Sequence, residues 1–253
     1  MLDPSDIYAA PRSVRIDDCA FYHVMDLPGV GRVGGHWDLR GRVDEYLGNV
    51  GLSGKRVLEI GPASGFLTVE MEKRGADVVA VEVTDDHEWD YVPYPPAVLD
   101  ANKRERRAGM RQLKNAFWFT HRAHGSRARL YYGDATNLPA ALGPFDVAVM
   151  AAVLLHTRHP LSIVESCARL ADMLVITENF HAGLAGPVCG LHPTRENHAF
   201  DTWWNFSPQF FTRFVEILGF RDHVVTRHTQ QHHSGPFEFF TVVTSRGTRP
   251  NGT

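Results

Sequence analysis

The sequence predicts an α/β protein built on a doubly wound, mostly parallel sheet. From Lys55 to Asn179, short apolar runs alternate with longer amphipathic stretches, as in strands joined by helical crossovers. The run DVVAVEV at 77–83 is largely apolar, which is typical of a parallel strand covered on both faces. The C-terminal part differs, because two strand-like runs follow each other without a helix. They predict an antiparallel hairpin that completes the fold.

The predicted elements follow one another along the chain. Strands are expected at 56–60, 77–83, 127–134, 145–152 and 173–179, helices at about 65–74, 99–121, 160–170 and 208–218, and hairpin strands at 221–229 and 237–246. Residues 37–52 place Leu39, Val43, Tyr46 and Leu47 at helical spacing, with Asp38 as a candidate N-cap. A further short helix is therefore expected before the first core strand.

One domain spanning 1–253 is the simplest interpretation, since we find no repeat, low-complexity segment or linker. An N-terminal cap segment (1–52) precedes an α/β core (53–246). The core contains a loop (180–206) that we expect to act as a second cap. Both cap segments lie outside the strand–helix alternation and are rich in aromatic residues.

Composition and charge narrow the class of protein. The net charge of −3 gives no general attraction to nucleic acid or to anionic membranes. Three widely spaced cysteines form neither a metal pattern nor a disulfide framework, which suits a reducing compartment. With no recognisable signal peptide or membrane span, a cytoplasmic location is expected. Pairs of histidines, such as His232 and His233, lack a further ligand at usual spacing, so no metal site is predicted.

The stretch VLEIGPASGF (57–66) predicts a strand, a tight glycine turn and the start of a helix. The dinucleotide-binding motif G-x-G-x-x-G is absent, because Ala63 and Phe66 occupy the positions of its second and third glycines. The phosphate-binding P-loop motif is also absent, since no Gly-Lys-Ser/Thr follows the turn. An acidic residue, Glu59, instead introduces Gly61 and Gly65, and its charge would repel a phosphate.

Two more acidic residues end neighbouring strands. Glu82 follows the turn by about twenty residues, where a carboxylate can bind two ribose hydroxyls, and Asp134 ends the next strand, within reach of an adenine amino group. The ligand implied has ribose and adenine, no phosphate, and positive charge near Glu59. S-adenosylmethionine (SAM) has these properties.

The chain resembles class I SAM-dependent methyltransferases over roughly 55–180, which implies a Rossmann-like fold. VLEIGPASGF is similar to their first motif, and FDVAVMAAVLLHTRHP (145–160) to their fourth-strand motif. FYHVMDLPG, HWDLRGR, LLHTRHP and TWWNFSP resemble more narrowly a bacterial branch related to the tRNA wobble-uridine carboxymethyltransferases. Pro62 departs from the family, in which cysteine or glycine is common at this place. Proline stiffens the turn and removes a backbone donor.

The predicted cofactor contacts lie on the turn and at the ends of the following strands. They are Glu59, Gly61, Pro62, Ala63, Ser64, Gly65, Glu82, Val83, Asp134, Ala135 and Ala151.

Candidates for catalysis and acceptor binding have simpler alternative roles. His156, His36 and Glu178 could each serve as a general base. His156 could instead order its loop, and Glu178 could anchor the substrate or be a strand-end acid without a catalytic task. Trp37, Trp203 and Trp204 could wall the acceptor site or pack for stability alone. We expect the first role, because the two aromatic segments flank one crevice.

The predicted function is methyl transfer from SAM to an oxygen or nitrogen of a small organic acceptor from secondary or sugar metabolism. One alternative is a tRNA wobble-uridine methyl- or carboxymethyltransferase. That enzyme would need a coherent basic face, and the basic run at 103–114 is expected to be a solvated helix surface instead. The other alternative is a nicotinamide-binding or non-catalytic protein. The absence of the dinucleotide-binding motif argues against it.

Overall fold

The computed structural model describes residues 7–247, and the ends of the predicted domain (1–6 and 248–253) lie outside them. Twelve strands and five α-helices are assigned in the described residues. The strands are β1 (Met25–Leu27), β2 (Gly31–Val33), β3 (Trp37–Asp38), β4 (Arg56–Ile60), β5 (Asp77–Glu82), β6 (Arg129–Tyr132), β7 (Phe145–Ala151), β8 (Ala171–Asn179), β9 (Cys189–Leu191), β10 (Trp204–Phe206), β11 (Asp222–His232) and β12 (Gly235–Ser245). The helices are α1 (Val43–Tyr46), α2 (Phe66–Lys73), α3 (Pro96–His124), α4 (Pro160–Leu170) and α5 (Pro208–Ile217).

Eight strands form the main sheet in the order β3-β11-β12-β8-β7-β4-β5-β6. Strands β4 to β8 pair in parallel, and β12 runs antiparallel to β8 and to β11. The predicted fold class and the C-terminal hairpin are therefore confirmed. The chain leaves β4 for β5 on one side and later returns to β7 on the other. Ligands of doubly wound sheets bind at such a reversal, beyond the carboxyl ends of the strands.

The central strands are buried on both faces, which explains their apolar sequences. Val57, Leu58, Val79 and Val147 are fully buried. One apolar cluster lies beneath α4 and α5, and another lies beneath α2 and the N-terminal segment. This double cover holds the carboxyl ends of β4, β5 and β7 in fixed positions.

The helix predicted within 37–52 is wrong in extent. Trp37 and Asp38 form β3 and pair with the end of β11, while α1 has only four residues. Asp38 does not cap a helix, because its carboxylate accepts hydrogen bonds from the Arg40 guanidinium at 2.7 and 2.8 Å. Gly41 has a φ of +79°, which interrupts any helix that starts before it. The apolar residues at helical spacing are nevertheless buried, as their pattern indicated.

Several other segments differ from the sequence prediction. Strands β1 and β2 are not predicted, β6 ends at Tyr132 instead of at 134, and β11 extends to His232 instead of to 229. Helix α3 is longer at both ends than expected and stops at Gly125, whose φ of +60° suits a C-terminal cap. The loop 180–206 contains the short antiparallel pair β9 and β10. No helix between residues 7 and 247 is long and apolar enough to cross a membrane. The division into cap segments and a core stays a prediction.

Candidate active site

A crevice with two chambers lies at the carboxyl ends of β4, β5 and β7. The strand-end chamber, of about 260 Å³, includes Val83, Asp134 and Ala135 in its wall. The aromatic chamber, of about 360 Å³, is walled by rings from several parts of the chain: Tyr22, Trp37, Tyr46, Trp89 and Phe239. The chambers adjoin, because both are lined by Gly61, Glu82, Trp89, Val153 and His156.

The glycine turn brings backbone close to both chambers. Gly61 has a φ of +71° and donates its N–H to the Val81 carbonyl at 2.9 Å. A Cβ at Gly61 would lie 3.0 Å from a methyl group of Val153, so a side chain there would crowd the opposite wall. Pro62 and Ala63 line the aromatic chamber, and Ala63 has an unusual φ of +50°. This turn leaves space where a ligand can approach the backbone.

The last two predicted turn residues have supporting positions. Ser64 is buried and accepts a hydrogen bond from the Tyr22 backbone N–H at 3.2 Å, which fixes the N-terminal segment to the turn. Gly65 precedes α2 with a φ of +83°. Neither residue lines a chamber. Both residues shape the turn, and their contact with the cofactor stays a prediction.

Glu59 is a buried carboxyl group in the wall of the aromatic chamber. Burial raises the pKa of Glu59 to about 8. The hydrogen bond donated by the Thr68 hydroxyl acts in the opposite direction and lowers the pKa, but burial has the larger effect. The charged groups that act on it are two further acids, Glu82 and Glu72. Among residues 7–247, no lysine or arginine forms an ion pair with Glu59. A cationic ligand in the chamber would supply the missing counter-charge.

Glu82 ends β5 and lines both chambers. One of its oxygens accepts the Val83 backbone N–H at 2.8 Å, and burial raises its pKa. Asp134 lines the strand-end chamber and accepts from the backbone N–H and hydroxyl of Thr136, both at 2.8 Å. The carboxylates at these strand ends can accept hydrogen bonds from hydroxyl or amino groups. Ala151, at the end of β7, lines the aromatic chamber.

His156 lies where the two chambers adjoin. Its Nδ1 is 2.7 Å from the Asp201 carbonyl oxygen, which can only accept, so Nδ1 carries the proton and Nε2 keeps a lone pair. Burial lowers the pKa of His156, which keeps the ring neutral near pH 7. Asp201 also pairs with Arg106 at 3.0 Å, so the loop 180–206 holds this imidazole through Asp201. A neutral, oriented imidazole in a crevice can act as a general base.

A model of the methyltransferase domain family matches residues 38–217, which is well over half of the chain. The chain belongs to this family. It is a SAM-dependent methyltransferase with the Rossmann-like fold of class I. No curated protein matches the chain.

Solved structures share the fold of this methyltransferase at low sequence identity. The N-terminal domain of EvdMO1, crystallised in the presence of S-adenosylhomocysteine and D-fucose, has a TM-score of 0.56 at 18% identity and covers 90% of this chain and 92% of that one. The 1,6-didemethyltoxoflavin-N1-methyltransferase of Burkholderia thailandensis has a TM-score of 0.52 at 16% identity, with 82% and 77% covered. A putative methyltransferase from Bacillus halodurans has a TM-score of 0.54 at 13% identity, with 82% and 99% covered.

Two predicted catalytic residues of the methyltransferase lie outside the chambers. Glu178 is buried behind the wall, where it accepts the Leu154 backbone N–H at 3.0 Å, and burial raises its pKa to about 8. It supports the loop that bears His156. His36 is exposed and packs beside His232 and His233 instead of facing the crevice. For both residues, position in the sequence next to a site residue suggested a role as general base, and that role stays a prediction.

Of the three residues predicted to bind the acceptor, one lines a chamber and two do not. Trp37 lines the aromatic chamber and donates its indole N–H to the Tyr22 hydroxyl at 3.2 Å. Trp203 and Trp204 line neither chamber, and their role as acceptor walls stays a prediction. The Trp203 indole donates to the Asp90 carbonyl, and that of Trp204 donates to the Thr157 carbonyl at 2.9 Å. Both therefore brace the strand-end chamber from behind.

Sequence reasoning missed several residues of the aromatic chamber. His23 and Asn179 line it, and each has a buried polar atom, His23 Nδ1 and Asn179 Oδ1, without a hydrogen-bond partner among the described residues. Burial lowers the pKa of His23 to about 3, so this ring is neutral. Arg106 joins the chamber from α3. The motif FYH at 21–23 is a signal that could have found Tyr22 and His23, whereas nothing in the local sequence separates Arg106 from its basic neighbours.

Proposed function

We propose that this methyltransferase transfers the methyl group of SAM to an oxygen or nitrogen nucleophile of a small organic acceptor, of a kind found in secondary or sugar metabolism. The observation that carries the proposal is the pairing of the two chambers. One contains carboxylates at strand ends and the other is walled by aromatic rings, and both reach Gly61, Glu82 and His156. A cofactor and an acceptor can therefore meet at the shared wall.

The cofactor's adenosine half belongs in the strand-end chamber. Glu82 would accept hydrogen bonds from the ribose hydroxyls, and Asp134 would accept one from the adenine amino group. The methionine half would lie over Gly61 and Ala63, where Glu59 offsets its positive charge. SAM, when bound, supplies an electrophilic methyl group on a sulfonium. The protein's part is to hold the two reacting atoms close together and to exclude water.

The acceptor belongs in the aromatic chamber, beyond the glycine turn. A cavity of about 360 Å³ has the size of a small-molecule site. Its rings offer apolar faces, while the unpartnered atoms of His23 and Asn179 offer hydrogen bonds to a polar acceptor. Two structural neighbours support the same class, since one was crystallised in the presence of D-fucose and one with bound 1,6-didemethyltoxoflavin.

His156 is the general base that we assign for a hydroxyl acceptor. Its Nε2 lone pair is available because Nδ1 is engaged with Asp201. It would take the proton as the acceptor's oxygen attacks the methyl carbon. An amine acceptor that arrives deprotonated would not require this base.

RNA modification is a second candidate, favoured by a basic groove on α3. Lys103, Arg104, Arg107 and Arg111 line one groove, although the sequence suggested charges spread over several faces. Three of these residues also border a cavity that reaches Val83 and Trp89 at the rim of the crevice. The groove could hold the phosphates of a nucleic acid while a base enters the site.

Methyl-labelled SAM distinguishes the two candidates. The purified protein would be incubated with labelled SAM and either a metabolite extract or undermodified tRNA, at 50 and 200 mM salt. We expect label in the small-molecule fraction, and mass spectrometry would identify the methylated product. Label in tRNA alone, lost at high salt and in Arg104→Ala/Arg107→Ala, would overturn the small-molecule proposal in favour of RNA.

A further inference from the structure

Three histidines from opposite ends of the chain converge beside the crevice. His36 precedes β3, whereas His232 is the last residue of β11 and His233 follows it in the turn to β12. One ring nitrogen from each lies within 4.8 Å of those of the other two. This juxtaposition was missed because His36 is distant in sequence, and the pair at 232–233 has no third ligand nearby. We name His36, His232 and His233 the histidine cluster.

The backbone holds the histidine cluster together independently of any ligand. Asp38 and Trp37 pair with Gln231 and His232 in the main sheet. The His233 backbone N–H donates to the His36 carbonyl at 2.9 Å, which fixes the two segments next to each other. The ring centroids of His232 and His233 are 3.9 Å apart, and that of His36 lies 5.3 Å from His233. Only side-chain rotations are then needed to aim three nitrogens at one point.

The chemistry of the histidine cluster fits a transition-metal ion. Zinc binds histidine nitrogens at about 2.0–2.1 Å, so tetrahedral ligand atoms are roughly 3.4 Å apart. The exposed rings of His36 and His233 can rotate toward the half-buried His232 to reach this spacing. His232 Nδ1 lies 2.7 Å from the Ser234 hydroxyl and also accepts the Ser234 backbone N–H at 3.3 Å, which orients the ring. Metal binding at Nε2 requires the tautomer in which Nδ1 carries the proton and donates it to the Ser234 hydroxyl oxygen. No carboxylate or cysteine completes the cluster within residues 7–247, so a fourth position is open to water or another ligand.

We propose that His36, His232 and His233 form a binding site for a divalent transition-metal ion of the zinc class. The site would fasten the segment 21–38 to the tip of the β11–β12 hairpin. That segment carries Tyr22, His23 and Trp37, which wall the aromatic chamber. The Trp37 ring lies 4.6 Å from the His232 ring, so an ion held here would steady the chamber wall through direct packing.

Metal binding is testable without knowing the acceptor. The full chain without a histidine tag would be freed of metal and titrated with Zn²⁺ in a calorimeter and with Co²⁺ by visible absorption. We expect one ion per chain and the intense absorption bands of low-coordinate Co²⁺. His233→Ala should weaken binding at least about tenfold, because one of three protein ligands is lost. Mg²⁺ should not compete, since it prefers oxygen ligands.

A matched control separates the histidine cluster from other histidines. His198→Ala removes an exposed imidazole far along the chain in the loop 180–206, and it should bind Zn²⁺ as the wild type does. Zn²⁺ should raise the Tm of the wild type and of His198→Ala but not of His233→Ala. Circular dichroism would show that the variants are folded. Absence of stoichiometric binding by the wild type, or equal affinity in His233→Ala, would overturn the proposal.

Discussion

Glu59 and Glu178 are two buried glutamates whose pKa values are both raised to about 8 by burial, yet their surroundings differ. Glu59 faces a chamber and is engaged by one hydroxyl, whereas Glu178 accepts backbone N–H groups behind the wall. Burial disfavours the charged form of a carboxyl group unless a hydrogen-bond donor or a positive charge compensates for the lost contact with water. The sequence places both at strand ends, and only the side-chain direction separates a ligand-binding acid from a supporting one.

Glu59 should release a proton when it binds a cationic ligand. Near pH 7 the ligand-free carboxyl group is mostly protonated, and pairing with the ammonium of SAM would favour its charged form. Titrating SAM at pH 7 in buffers of different ionisation enthalpy should reveal release of most of one proton per site. Glu59→Gln should abolish this release and weaken binding.

Glu178→Gln is the matched control for Glu59, because it removes a carboxyl group with the same raised pKa outside the chambers. It should leave the proton release intact. Binding by the wild type without any buffer dependence would contradict the assignment of Glu59.

The raised pKa of Glu59 also affects the stability of the ligand-free protein. Its contribution to stability is present below the unfolded value of 4.5 and is lost as pH rises through 8.

His156 should determine how turnover of a hydroxyl acceptor depends on pH. Burial lowers its pKa below 6.5, so the ring is a neutral base at pH 7, and turnover falls only below pH 6.5, where the ring becomes protonated. His156→Gln should reduce turnover about 10²–10⁴-fold and remove this acidic limb, while SAM affinity changes little. Normal turnover in the variant would leave His156 with a loop-ordering role, measured as a fall in Tm without loss of turnover.

At the scale of elements, short segments depart most from what their sequences predict. The apolar pattern of 39–47 correctly indicates which residues are buried, but burial there is achieved with only a four-residue helix. The Arg40–Asp38 pair and Gly41 favour another backbone path. By contrast β4 and α4 occupy the predicted residues, since each combines apolar residues at its own spacing with a clear boundary: Gly61 follows β4, and Pro160 begins α4.

The aromatic residues of the two cap segments should have separable roles. Trp37→Ala removes a wall of the aromatic chamber, so the acceptor KM should rise about tenfold while the Kd for SAM stays within about twofold. Trp204→Phe loses the hydrogen bond to Thr157 but keeps a ring behind the wall. It should lower stability by about 0.5–1.5 kcal/mol and leave the acceptor KM unchanged.

Steady-state kinetics with the identified acceptor, SAM calorimetry and thermal denaturation would check both tryptophan variants. Trp37→Phe is the control that retains an aromatic face without the indole donor. A larger effect of Trp204→Phe than of Trp37→Ala on acceptor KM would contradict the placement of the acceptor.

At the scale of the whole molecule, the sequence predicted the sheet and the strand-end acids because both depend on local order. Glu59, Gly61, Glu82 and Asp134 follow from where strands end, and parallel strands bring those ends to one edge. The acceptor side depends on contacts between distant segments: Arg106 with Asp201, and Tyr22 with Ser64. The histidine cluster depends likewise on pairing of β3 with β11. No local sequence pattern predicts these contacts between distant segments.

The central claim is that SAM occupies the crevice with its ribose on Glu82, and calorimetric titration of SAM into the wild type and Glu82→Ala tests it most directly. Glu196→Ala, an exposed acid distant in sequence, is the control for charge alone. We predict that Glu82→Ala weakens binding by about 1–3 kcal/mol, the scale of lost charge-assisted hydrogen bonds, while Glu196→Ala binds normally and both variants stay folded. Unchanged affinity in folded Glu82→Ala would contradict the account.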